Sequence, residues 1–546
     1  MSETFISQNI LSFIALWPLV GFLIVMLLPR GWSPAAYRRG ALWLSVPPLV
    51  AALYLVLVFA TSGWGATTGE PFNVVRPWFT VSDLTVRFAM FVDGLSLPLV
   101  TLSALLTTLV ISYSNITDRA KEYYALFLLL EVGMMGTFLA ADFFLFYVFW
   151  EISLVPMYFI IGIWGGEQKE YAAIKFFIYT LVGSVAMLLA MIWIYMITPD
   201  AHKTLMFIPV AGTPSLTDPA VTTAINGKSA TLIPILAWWG IFLAFAIKVP
   251  SWPFHTWLPD AHTQAPTGGS VILAGILLKM GGYGIFRILL PVMPQQSYEM
   301  RFVLLFLAVV GVVYGAFVAM AQQDLKKLIA YSSVNHMGYV MMGVAAAAAV
   351  LYPGVSATQL AAAKTAASGA IYQMFAHGLL TSGLFLLVGI IYDRTHTRDL
   401  AAFGGLAKNL PEYAGYFRWF VFGSLGLPGL AGFIAEFLVF MGTFAADPVG
   451  TGDYPFFRLG AVISGLGIIV TAAFLLWTIQ RVLLGPLNPR WAKLPDVEAR
   501  ERVPLLVLGV LSVVFGVIPG LLLSTMSGYL AQLAELGQHL TRLAGR

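Results

Sequence analysis

The 546-residue chain contains no cysteine. That excludes disulfides, thiolate zinc sites, cysteine-ligated iron–sulfur clusters and thiol catalysis together. Charge is almost as scarce. Asp, Glu, Lys and Arg make up 10% of residues, where soluble domains carry roughly a quarter. The net charge of +4 is spread along the chain with no long basic run, so nucleic-acid binding leaves no footprint. No GxGxxG follows a strand and no P-loop occurs, which leaves nucleotides without a visible site.

What the chain has in excess is apolar: 59% of residues are hydrophobic and the mean hydropathy is +0.84. No single soluble core absorbs that much, so the sequence predicts a bilayer protein. The start, MSETFISQNI, has Glu3 and no basic residue. It does not read as a signal-peptide n-region, and the first apolar stretch is expected to remain as an anchor.

Windows of about 20 apolar residues match the thickness of a hydrocarbon core. They fall near 9–28, 40–60, 94–113, 122–140, 143–163, 171–197, 231–249, 267–290, 302–320, 325–349, 366–391, 413–441, 458–480 and 503–526. The expected fold class is therefore an all-α polytopic membrane protein with about 14 transmembrane helices. The window at 413–441 is long enough for two pieces. With the N-terminus outward, 16 basic residues, Lys326 and Lys327 among them, fall in cytoplasmic loops and 10 outside. Four more are assigned to spans: Lys175, Lys248, Lys279 and Arg418. This bias predicts that both termini are extracytoplasmic. Residues 61–93 are expected to form a small extracytoplasmic hairpin and 198–230 a polar loop, while 345–364 is Ala-rich. None is large enough for a catalytic domain.

Ionisable residues nonetheless recur inside the apolar windows, where they are costly. They are Glu131, Glu151, Lys175, Lys248, Lys279, His336, His377 and Glu436. Bland explanations exist for some. Glu131 and the histidines can serve as interhelical hydrogen-bond partners, and Lys175, near a helix start, can snorkel to the interface. Glu151, Lys248, Lys279 and Glu436 resist this, because apolar residues flank each on both sides. Lysine and glutamate can exchange protons, and an adjacent opposite charge keeps both ionised. Arginine does not deprotonate in proteins, and none is expected in the middle of the row; Arg418 lies near one helix start.

The seventh and twelfth windows are also interrupted. Pro250 and Pro253 follow Lys248, and the run GSLGLPGLAG precedes Glu436. Paired interruptions in two halves mark inverted-repeat transporters, with the ion site at the break. Glu151 and Lys248 are 97 residues apart, and His336 and Glu436 are 100 apart, so the spacing nearly repeats. The expected organisation is residues 1–121 with three helices and the hairpin, a first repeat at 122–290 and a second at 291–485. A last helix and tail follow at 486–546. Irregular backbone at membrane depth needs cover from protein or water. The prolines open such a place, and Lys248 is expected to gain and lose a proton there.

At these motifs the chain resembles the antiporter-like membrane subunits of proton-pumping NADH:quinone oxidoreductase (respiratory complex I), most closely those of the M type. The matching stretches are FLFYVFWEISLVPMYFIIGIWGG, AFAIKVPSWPFHTWLPDAHTQAPTGGSVILAGILLKMGGYG, DLKKLIAYSSVNHMGYV, MFAHGLLTSGLFLLVGIIYDRTHTRDL and GSLGLPGLAGFIAEF. The likeness covers roughly residues 90–485. Glu436 stands where the L-type sister chain has lysine, and where that sister carries a long lateral helix after its spans, about twenty residues follow the last window here. The resemblance implies that Glu151 pairs with Lys248 at the input and that Lys279 is the central relay. It further implies that His336 and His377 continue the path, that Glu436 exchanges protons with the far side, and that Lys175 and Glu131 support. It implies no cofactor in this chain, with FMN, iron–sulfur clusters and quinone in partner subunits. Its partners would be other membrane subunits of the complex, including sister antiporter-like subunits on both sides, together with lipids. The expected location is the bacterial inner membrane.

Two competing functions share some of these features. A multi-subunit sodium/proton antiporter belongs to the same superfamily. A membrane cytochrome would use His336 and His377 as haem ligands, but each is single on its helix and charged groups crowd them. His255, His262 and Asp260 offer a weak metal pattern, for which packing within the loop is the simpler explanation.

Overall fold

The computed structural model describes residues 3–62, 72–81, 84–209, 213–228, 231–351, 355–447 and 455–544. Parts of the expected hairpin, the polar loop and the Ala-rich stretch (63–71, 82–83, 210–212, 229–230 and 352–354) lie outside the described residues, as do the extreme termini.

Two helices, α1 (Glu3–Leu27) and α2 (Pro34–Thr61), lead to a two-stranded antiparallel hairpin, β1 (Val74–Val81) and β2 (Leu84–Met90). Then come α3 (Ser96–Tyr113), α4 (Ala120–Leu139), α5 (Phe143–Trp164), α6 (Lys169–Ile197), α7 (Ile233–Lys248) and α8 (Trp257–Gln264). The middle holds α9 (Thr267–Val292), α10 (Arg301–Met320), α11 (Leu325–Ala348) and α12 (Ala357–Thr395). The chain closes with α13 (Pro411–Ser424), α14 (Ala431–Phe444), α15 (Phe456–Leu483), α16 (Ala499–Val517) and α17 (Gly520–Ala544).

Side-chain caps fix several starts. Asp142 accepts from Phe144 N and Leu145 N to open α5. Asp324 does the same for α11 through Lys326 N and Lys327 N, and Ser356 with Gln359 forms a capping box on α12.

All fourteen apolar windows fall on helix, yet length and apolarity together qualify ten helices as spans among the described residues. The count is eleven if α16 and α17 make one bent crossing. The shortfall from fourteen has physical causes. The seventh window stops at Lys248 after 16 residues, and the window at 413–441 splits into α13 and α14, of 14 residues each. The tenth, α11, is too polar, because Ser332, Ser333, Asn335 and His336 are buried on it. Asn335 donates to Val312 O (2.7 Å) and accepts from Thr471 (3.2 Å), so it ties α11 to α10 and α15. The last window is not one straight helix: α16 and α17 meet at 69° across Pro519. The hairpin makes the fold all-α only apart from those two strands.

The centre belongs to α9 and α12, whose apolar windows are wholly enclosed by other helices. Outer helices such as α1, α2, α6 and α15 leave apolar side chains uncovered, Leu27, Trp43, Met196 and Ile469 among them. Helix α17 folds back over the start of α3, where a Cβ at Gly94 would lie 1.7 Å from the Thr525 carbonyl oxygen. Only glycine permits that approach.

Candidate functional site

The first cluster forms where α7 ends. Lys248 is its last residue and is 1% exposed. Beyond it the chain turns with Ser251 N donating to Ala246 O (2.8 Å), and Trp257 Nε1 clamps Ile247 O at 2.9 Å. The Lys248 ammonium has no hydrogen-bond partner. It faces two rings instead, at 4.9 Å from the centroid of Trp150 and 5.9 Å from that of Phe176. Glu151, half-buried on α5 beside Trp150, keeps one carboxylate oxygen buried and without a partner. The expected Glu151–Lys248 pair is not closed in this conformation: the lysine lies against the ring of Trp150, the residue before Glu151.

Lys175 is held in an ion pair. Its Nζ lies 2.7 Å from Asp260 Oδ2 and ties α6 to α8. Asp260 is thereby engaged, and the His262 ring stacks on Phe385 at 4.6 Å and 8°. The metal pattern of His255, Asp260 and His262 therefore does not assemble; among the described residues no three His, Cys, Asp or Glu side chains converge.

The second cluster runs along the core of the protein. Lys279 is fully buried on α9, in a short α-helical piece between two π-helical turns, Leu273–Leu277 and Ile285–Leu289. Its ammonium hydrogen-bonds the Ala274 carbonyl, inside the first π turn, and lies 2.7 Å from His377 Nδ1 on α12. The His377 and His336 rings are 5.6 Å apart, tilted by 52°. His336 Nδ1 is 3.6 Å from Glu436 Oε1 on α14, and Gln373 Nε2 reaches the same nitrogen at 3.5 Å. A cavity of about 10 Å³ for water centres lies among His336, His377, Thr381, Ser424 and Glu436. That is room for about one water and far too little for a haem.

The order along this line is Lys279, His377, His336, Glu436, so His377 precedes His336. Gly426, at φ +81° in the break before α14, makes the line possible. A Cβ there would lie 2.7 Å from Glu436 Oε2, in a backbone region that side chains rarely adopt. The structure therefore brings four of the six expected relay residues into one series of close contacts and sets Lys248 against Trp150, the residue before Glu151. No hydrogen bond joins Lys248 to Lys279, although α7 packs on α9. Glu131 is fully buried on α4 with neither oxygen partnered, and it touches none of the others through a hydrogen bond.

Several polar groups escaped the sequence reading. Arg287, not among the four basic residues assigned to spans, is 5% exposed on α9, eight residues beyond Lys279 and apart from the series Lys279–His377–His336–Glu436. Its NH2 lies 2.5 Å from Asp93 Oδ1, and its guanidinium faces the rings of Phe91, Tyr283 and Tyr529. Lys326, assigned to a cytoplasmic loop, is buried and donates to Ala265 O at 2.5 Å. Gln373 was the one with a local signal, since it stands one helical turn before His377.

Removing one member of a buried ion pair strands the other, at about 3–5 kcal/mol. Arg287→Leu should therefore lower the temperature at which this subunit is lost from its purified complex. Adding Asp93→Asn, which keeps the acceptor for Leu95 N and Ser96 N, should restore much of the loss.

Residues 140–451 match the family described as NADH:quinone oxidoreductase/Mrp antiporter, TM. The chain is 39% identical over 542 residues to the NADH-quinone oxidoreductase subunit M of Rhodobacter capsulatus, covering 97% of each protein. A chain from the structure of respiratory complex I from Thermus thermophilus with bound NADH superposes with a TM-score of 0.79 at 27% identity, over 97% of this chain and 99% of that one. A chain of the Mrp complex from Dietzia shares the fold (TM-score 0.77) at 19% identity, over 98% and 99% of the two chains. With this likeness along nearly its whole length, the chain belongs to the subunit M family of NADH-quinone oxidoreductases, the antiporter-like membrane subunits of complex I.

Proposed function

We propose that protons cross the membrane in this chain by way of Glu151, Lys248, Lys279, His377, His336 and Glu436, driven by electron transfer in other subunits. The chain is a proton-translocating membrane subunit of NADH:quinone oxidoreductase. The observation that carries the route is the contact series Lys279–His377–His336–Glu436, in which each group can both take and release a proton. Lys248 loads from the Glu151 side and passes its proton to Lys279. Glu131 and Lys175 tune the field around them, Lys175 through its ion pair with Asp260.

In this reading all fourteen apolar windows cross the membrane and form two inverted five-helix repeats, 122–290 and 291–485, with the broken helices at the two sites. Residues 1–121 and 486–546 flank them, and both termini lie outside the bacterial inner membrane. Sister antiporter-like subunits pack on both sides. FMN, iron–sulfur clusters and quinone belong to partner subunits. The magnitudes are consistent. Moving one charge against 100 mV costs about 2.3 kcal/mol, and one pKa unit is worth about 1.36 kcal/mol. Closing and opening the Glu151–Lys248 pair, if it moves a pKa by about two units, supplies enough.

Inverted membrane vesicles containing the intact complex test the reading against sodium/proton exchange. NADH should drive acidification of the lumen at the same rate with and without sodium. Proton flux that needs a sodium gradient and ignores NADH would reverse the assignment.

A further inference from the structure

Lys248 is buried, unbonded and out of ion-pair contact, yet it sits against an unusually well-held aromatic ring. Trp150 Nε1 donates to Ser184 Oγ at 3.0 Å, which fixes the indole in its plane. Phe146 stacks on the indole at 5.7 Å and 29°, and Phe245 meets it nearly edge-on at 5.6 Å. The ring is itself buried and presents its face to the lysine nitrogen, with the Phe176 ring nearby. A desolvated ammonium over an indole face is attracted by the ring quadrupole, and a neutral amine is not. Trp150 also immediately precedes Glu151, so the ring and the carboxylate are alternative neighbours for one swinging ammonium.

We propose that Trp150 is a positioning residue for proton transfer: its indole face holds Lys248 in the protonated form while the lysine is apart from Glu151. The inference rests on the reading of Lys248 as a proton carrier. It gives that carrier two stations, a carboxylate and an aromatic face, between which its proton affinity differs.

Other charged groups near α7 are engaged elsewhere. Lys175 on α6 is paired with Asp260, Lys279 on α9 with His377 and Arg287 with Asp93. Glu299, on the short helix Pro294–Glu299, accepts from Gln295. His255, in the break after α7, meets the Tyr314 and Tyr331 rings edge-on. Glu151, by contrast, keeps one buried carboxylate oxygen without a partner.

Site-specific fluorination of Trp150 in the assembled complex isolates this effect, because each fluorine weakens the ring quadrupole while leaving the indole N–H for Ser184. A held ammonium has a raised proton affinity, so loosening the hold makes the lysine deprotonate at lower pH. The alkaline limb of NADH-driven pumping should therefore move stepwise to lower pH from mono- to di- to tetrafluorotryptophan, by about one pH unit in all. Trp150→Leu should shift it at least as far, and Trp150→Phe less. An unchanged limb across the fluorinated series, with Lys248→Ala inactive, overturns the role of Trp150 alone. Full pumping in Lys248→Ala overturns the carrier reading beneath it.

Discussion

Lys248→Ala should reduce NADH-driven proton pumping at least about tenfold while the subunit still assembles. Tenfold corresponds to about 1.4 kcal/mol on a limiting barrier, a modest demand for deleting a station outright. The substitution leaves α7 itself with no group able to take a proton, and Glu151 is on another helix. Assembly should survive, since the ammonium makes no hydrogen bond that its loss would strand. Lys248→Arg sharpens the result. A guanidinium keeps the charge but does not release its proton, so pumping should stay low although the charge is conserved. Fluorescence quenching of a pH-sensitive dye in inverted vesicles, alongside the subunit content of the purified complex, reads both quantities. Normal pumping in Lys248→Ala would remove this residue from the path.

Glu436→Gln should have an effect of the same size at the other end. The amide preserves shape and keeps an acceptor near His336, but it cannot carry a proton. His336 then loses the acid 3.6 Å from its Nδ1, and the line from Lys279 ends on a neutral group. Glu436→Asp retains the chemistry with a shorter reach and should recover part of the rate. If Glu436→Gln pumped at the wild-type rate, the exit would have to lie elsewhere, and the contact series would be a structural network only.

The apolar windows and the charges within them were legible because each feature is local. A lysine ending an apolar run, two prolines after it and a Gly–Pro break before Glu436 all stand out from their neighbours. The partners were not legible. Lys175 and Asp260 are 85 residues apart and Arg287 and Asp93 are 194 apart, and nothing in the local pattern of either residue points to the other. The burial of Lys326, counted with the cytoplasmic loops, was hidden for a related reason. Its place in the first turn of α11 reads as a loop end, but the break between α8 and α9 folds over it and presents the Ala265 carbonyl. The count of spans fell where polarity is turned inward, as on α11, or where a window bends, as at Pro519. The order of the two histidines depends on how α11 and α12 cross, which no spacing along one helix specifies.

The two π turns on α9 set the direction in which its lysine points. Each π turn accommodates one residue more than an α turn, and one residue corresponds to about 100° of rotation around a helix axis. The segment Leu278–Gly284 is therefore turned about its own axis relative to both ends of the helix that carries it. Shortening that turn by a single residue would swing the amine away from α12 without altering any titratable group. The aim of this buried lysine is thus encoded in chain length, in the phase of the backbone, as much as in its chemistry.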